Sequence, residues 1–136
     1  MPAAQADTIL VDAAQASGLP FQDGTTWDKS FKSLQSALAV AVAGDDIWLA
    51  AGTYKPTTFT DRNLSFELKA GVRILGGFAV GDVILEQRDP LNNVTILSGD
   101  IGALNNPSDN SFHVLHSSNS VGANAVLSGV VVTAGK

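Results

Sequence analysis

The chain contains no cysteine in 136 residues, which excludes disulfide scaffolds and thiolate metal sites. Basic residues are scarce: 8 Lys and Arg stand against 13 Asp and Glu, a net charge of −5. No basic patch is available to neutralise phosphates, which argues against nucleic acid and against an anionic membrane surface. Aromatic residues make up only 7%, with two Trp and one Tyr. Packing must therefore rest on Gly, Ala, Val and Leu rather than on large rings. No apolar run reaches the roughly 20 residues needed to cross a bilayer, so membrane insertion is not expected. The opening MPAAQADT lacks a basic start and an apolar stretch and does not read as a signal peptide. An exported protein would begin here already processed.

What the chain does have is a series of short strand-like segments. They are TILV at 8–11, IWLAA at 47–51, SFEL at 65–68, VRIL at 72–75, VTIL at 94–97, FHVL at 112–115 and AVLSGVVVT at 125–133. Gly, Asn, Asp and Ser clusters separate them, as in repetitive sheet architectures. Between the first two lies one amphipathic pattern. Phe31, Leu34, Ala37, Leu38, Ala41 and Val42 recur at helical spacing, with Lys29, Lys32, Ser33, Gln35 and Ser36 opposite. This predicts a helix over 28–43, about four turns long, capped by Asp28 or Ser30 and stopped by Gly44. After Gly44 the period changes to two, with Ile47, Leu49, Val72 and Ile74 facing inward and Trp48 and Arg73 outward. Gly76-Gly77 is expected to be a sharp bend. Residues 53–63, 79–93 and 101–111 read as polar excursions. The starts at Ile47, Val72 and Val94 are spaced like successive coils of a solenoid.

Candidate chemistry is thin. His113 and His116 face opposite sides of a strand and do not make one metal site. Asp45 and Asp46 are adjacent and diverge, so they do not flank one bond as a glycosidase pair must. Asp100, Asn105, Asn106, Asp109 and Asn110 offer oxygen ligands for Ca²⁺, but no EF-hand spacing is present, and these are also good turn residues. No cofactor is expected, because no phosphate-binding glycine pattern or nucleophile elbow occurs. Trp48, Tyr54 and Arg73 are candidates for an outward glycan-binding wall.

The stretches DGTTWDKSFKSLQSALAVAVAGDDIWLAAGTYKPT, FELKAGVRILGGFAVGD, QRDPLNNVTILSGDIG, NSFHVLHS and AVLSGVVVTAG follow one another in the chain. Together they resemble the N-terminal domain of right-handed parallel β-helix (pectin-lyase-like) proteins of bacterial surfaces, which are extracellular and adhesin-like. The resemblance implies an all-β solenoid, a right-handed parallel β-helix with an N-terminal amphipathic capping helix. Residues 1–7 would be a disordered leader, 8–44 the cap strand and helix, and 45–136 the coils. It also implies a location outside the cell. It does not imply an activity. Lyases of that fold place acidic Ca²⁺ ligands and an Arg base on neighbouring coils, and no such pair of Asp positions is found here.

The functional expectation is a non-catalytic structural or interaction module. Leu127, Val130 and Val132 are the expected inward residues of the last segment, and they mark a candidate self-association edge. Three completions fit it: a chain cut from a longer protein, a second chain supplying further β-helix coils, or copies stacking head to tail into a filament. Two other readings stand beside it. One is a fragment of a polysaccharide lyase or hydrolase. The other is a carbohydrate-binding module taking surface glycans on the outward wall.

Overall fold

The computed structural model describes residues 7–15, 22–57, 59–117 and 125–135. Residues 1–6 of the leader expected over 1–7, and Lys136, lie outside them; Asp7 is described, and its N–H donates to Asp45 Oδ1 at 3.1 Å. Nine short strands are described: β1 (Thr8–Val11), β2 (Asp46–Ala50), β3 (Gly52–Tyr54), β4 (Phe66–Glu67), β5 (Arg73–Phe78), β6 (Thr95–Ser98), β7 (Leu115–His116), β8 (Val126–Ser128) and β9 (Val131–Thr133). One helix, α1 (Leu34–Val40), lies between β1 and β2. The strands form three separate sheets, ordered β1-β2-β5-β8, β3-β6-β9 and β4-β7. Every described pairing is parallel.

This corrects the expectation of an all-β solenoid. The described residues do not close into one. They form a mixed α/β arrangement of three parallel sheets of unequal size with a helix built into the shared core. The coil-like spacing of Ile47, Val72 and Val94 misled because the third start belongs to another sheet. β5 pairs with β2, whereas β6 pairs with β3. The returns within the first sheet are also uneven, stepping from Ile9 to Ile47 to Ile74 to Leu127.

Parallel register stacks like on like. Ile9, Ile47, Ile74 and Leu127 form one interior row, Tyr54, Leu97 and Val132 a second, and Phe66 and Leu115 a third. Neighbouring rungs of such a row sit about 4.8 Å apart. The expected pairing of the 47–51 and 72–75 segments is present, and Ile47, Leu49, Val72 and Ile74 are all buried. Burying each such side chain fully contributes about 1.5–3 kcal/mol, so these rows supply most of the driving force.

The helix is shorter than predicted, seven residues rather than four turns. Residues before it are claimed by other structure. Trp27–Lys29 is a 3₁₀ turn, and Phe31 bridges to Val11 in extended backbone. Ser33 is therefore the N-cap, its hydroxyl accepting from Gln35 N at 3.1 Å. The helix ends at Ala41, three residues before Gly44, where the backbone turns extended (φ −66°, ψ 140°). Lys69 Nζ caps the exposed carbonyls of Leu38 and Ala41, both at 2.7 Å. Leu34, Ala37, Leu38 and Ala41 are buried against the three sheets, while Phe31 is half-buried.

Gly76 and Gly77 do not end a strand. They form a bulge inside β5, where Trp48 faces Leu75 but Ala50 faces Phe78. Gly77 has φ +94°, a left-handed conformation that glycine adopts without a Cβ penalty. Its N–H donates to Thr95 Oγ1 at 3.0 Å, so the bulge leaves no orphaned donor there. The extra residue places Phe78 on the outer face of the first sheet, stacked on Trp48 with ring centroids 4.3 Å apart. A second, smaller apolar cluster results: Leu10, Trp48, Leu75 and Phe78, with Trp27 and Leu85 packed on it.

Candidate functional site

Trp48 and Arg73 lie on the outer face of the first sheet, as expected. Trp48 is only 8% exposed, because Phe78, Trp27 and the 79–93 excursion cover it. Arg73 is open to solvent and paired with Asp46, its Nε donating to Oδ1 at 2.7 Å. The adjacent carboxylate raises the Arg73 pKa through a side-chain hydrogen bond and then through its charge. Tyr54 belongs elsewhere. It is 3% exposed in the interior row, with its hydroxyl donating toward Val11 O and Ala50 O and accepting from Ala13 N. Burial pushes the phenol pKa up. The three residues therefore do not meet on one wall.

The adjacent carboxylates have separate structural partners. Asp45 is buried and accepts from Val42 N at 2.9 Å and Asp7 N at 3.1 Å, while Asp46 takes Arg73. Most oxygens of the Asn/Asp excursion are turned on their own backbone: Asp100 accepts from Asn105 N, Asp109 Oδ2 from Ala103 N and Asn106 Oδ1 from Ser108 N. Asp109 Oδ1 and Asn110 Oδ1 are buried without a partner among the described residues. Arg62 donates to Asn110 O at 2.7 Å and lies 4.0 Å over the Phe112 ring, beside this excursion. Among the described residues no three His, Cys, Asp or Glu side chains gather at metal distance. His113 is exposed, and His116 Nδ1 meets Glu67 Oε2 at 2.6 Å across the β4–β7 pair. No described helix is long and apolar enough to cross a membrane.

Two features stand out instead. The first is the edge formed by the last strands. β8 and β9 are the outer members of their sheets, joined by a bend at Gly129 (φ +72°). The interior rows open as they reach this edge. Leu97 is 0% exposed, but its partner on the same face, Val132, is 46% exposed. Leu127 and Val130 are half-buried and touch the core from outside. A cleft of about 460 Å³ separates β9 from β7, lined by Phe112, Val114, Leu115, Val132 and Thr133.

The second is a cavity of about 290 Å³ on the outer face of β1 and β2. Thr8, Leu10 and Trp48 form its floor, Thr26 and Trp27 one wall, and Asp82 the other. Trp27 Nε1 donates to Asp82 O at 2.8 Å and ties the two walls together. Trp27 lies in a stretch with neither a helical nor a strand period. The available signal was that the chain has only two Trp, and both line this space.

Comparison with protein-family models, curated proteins and solved structures finds no match to this chain.

Proposed function

We propose that this chain is a non-catalytic interaction module whose working surface is the edge formed by β8 and β9, and that a second copy docks there. One observation carries the reading: the rows that are fully buried at Ile47, Ile74 and Leu97 end in half-open or exposed rungs at Leu127 and Val132. The edge strands are neutral, VLS and VVT, without the Lys, Pro or bulge that normally blunts a strand edge.

The opposite edge argues for the geometry of the contact. The outer side of β1 is already paired: Leu10 N donates to Gly24 O, Phe31 N to Leu10 O and Asp12 N to Phe31 O, at 2.8–3.0 Å. Head-to-tail stacking needs a free edge at both ends. A two-fold contact of edge on edge needs only the β8/β9 side and sets the same apolar rung against itself. The non-catalytic part of the reading is supported by the structural employment of Asp45, Asp46 and His116. The sequence likeness to bacterial surface proteins supports a place outside the cell.

Light scattering over a concentration series tests it. The unmodified chain should pass from monomer to dimer, and Val126→Lys with Val132→Lys should hold it monomeric with its circular dichroism unchanged. A chain that stays monomeric up to about 1 mM, where contacts of millimolar affinity still show, overturns the proposal. So does association that the double variant leaves intact.

A further inference from the structure

We infer that the cavity between Trp27 and Trp48 is a binding site for one neutral sugar ring, the terminal residue of a glycan. This goes beyond the edge reading and does not depend on it. The argument starts from what lines the space. Leu10 and the two indoles give apolar faces, and pyranose rings present C–H faces that pack on aromatic rings. Thr8 and Thr26 are exposed hydroxyl residues at the rim and offer both donors and acceptors.

Asp82 adds an acceptor. One of its carboxylate oxygens takes the N–H of Ala79 at 2.9 Å, and the other is unengaged among the described residues. A sugar hydroxyl can donate to it. Trp48 Nε1 is fully buried and meets no acceptor among the described residues, so Trp48 offers the cavity its ring and not its N–H. The N–H of Trp27 is already held by Asp82 O.

Charge and size narrow the class. Among the described residues Asp82 is the only charged one lining the cavity, and no Lys or Arg lines it. Uronates, sialic acid and phosphorylated sugars would meet a carboxylate without a counter-ion. The volume lies at the low end of small-molecule sites, enough for one ring rather than a chain. Affinity should be millimolar, as expected for a ligand of about a dozen heavy atoms at a partly open site.

The test uses intrinsic fluorescence, which here reports on nothing but this cavity, since its two Trp are the only ones in the chain. The probes are methyl glycosides of glucose, galactose and mannose, sodium glucuronate, and indole. At least one neutral glycoside should change the emission saturably and move both indole N–H resonances. Thr26→Phe should weaken binding at least about tenfold, because it fills the cavity from an exposed position and need not disturb the fold. Trp27→Ala is the second variant, read only if its circular dichroism matches the parent. The proposal fails if no glycoside changes the emission up to about 100 mM, well beyond millimolar affinity. It also fails if Thr26→Phe responds as the parent does, if glucuronate binds as well as the neutral sugars, or if indole binds and the glycosides do not.

Discussion

The two ends of the first sheet are built from similar residues and finish differently. At the β1 end the apolar row is roofed by α1, and the strand's outer backbone groups are paired by residues 24–31. At the β8 end the same row continues to Leu127 and stops with no strand beyond it among the described residues. The contrast shows that register decides which side chains line up, while covering decides which of them contribute to stability. Ile9 and Leu127 occupy the same row, yet only Ile9 is fully enclosed.

The sharpest way to break this comparison is to truncate two partners in one row. Leu97→Ala should cost about 2–5 kcal/mol, as buried large-to-small changes do. Val132→Ala, one rung further, should cost no more than about 0.5 kcal/mol in the monomer, the range of surface changes. Urea denaturation of dilute samples reads both. Equal losses would mean that the edge is enclosed.

A smaller effect, confined to the open end, is expected from Gly76→Ala. A Cβ there would lie 2.5 Å from Gly129 O and 2.8 Å from a Val130 methyl. The bend between β8 and β9 must shift, at a cost of about 1–3 kcal/mol for overpacking. Hydrogen exchange should speed up in β8 and β9 and stay unchanged in β1 and α1. The mirror experiment loosens the closed end. Ser33→Ala removes the N-cap and should cost about 1 kcal/mol, with faster exchange in α1 and none in β9.

The smallest effect concerns acid. Asp89 is half-buried, and its carboxylate is held below the usual 3.8, first by the side-chain hydrogen bond from Asn92 and then by the Asn92 N–H. A depressed folded value gives a contribution that is present above the ordinary carboxylate pKa and lost as pH falls through the folded one. The 79–93 excursion should therefore loosen below about pH 4, and Asp89→Asn should flatten that response. Trp emission follows it, because the excursion forms one wall of the Trp27–Trp48 cavity. An unchanged acid profile in the variant would remove Asp89 from the account.

Much of the strand content was legible because β2, β5 and β6 alternate cleanly on a period of two. β3 was not, since Gly52–Tyr54 carries one apolar ring in a polar stretch, and its Tyr hydroxyl is held partly by residues some forty positions earlier, Val11 and Ala13. The helix was over-extended because Phe31 fits a helical stripe as well as it fits a strand bridge, and only the pairing with Val11 decides. Sheet membership was illegible for a more general reason. Spacing along the chain says how far a strand is from the next one, not which neighbour it joins. The glycan wall failed on the same ground. Trp48 was rightly set outward, but its cover of Phe78 and Trp27 depends on a bulge and on a loop from another part of the chain.

The bulge at Gly76-Gly77 makes the count of residues, rather than their kind, a carrier of information. Between Leu75 and Phe78 this strand carries one residue more than β2 carries between Trp48 and Ala50. Strict alternation over that longer path would turn Phe78 inward, and Trp48 would lose its stacked partner; the bulge absorbs the extra residue and returns Phe78 to the outer face. Deleting one glycine removes the extra residue, so regular pairing still sets Phe78 opposite Ala50 and the frame is kept. Adding one residue without a second bulge is the frame change: it would deliver the 79–93 segment to the wrong side of the sheet, and the cavity beneath Trp27 would lose Asp82 as its wall. A side chain at Gly77 leaves the frame intact and only strains it. Longer and shorter variants of this dipeptide should therefore differ in kind: lengthening should abolish the cavity, whereas shortening or substitution should leave it present but less stable.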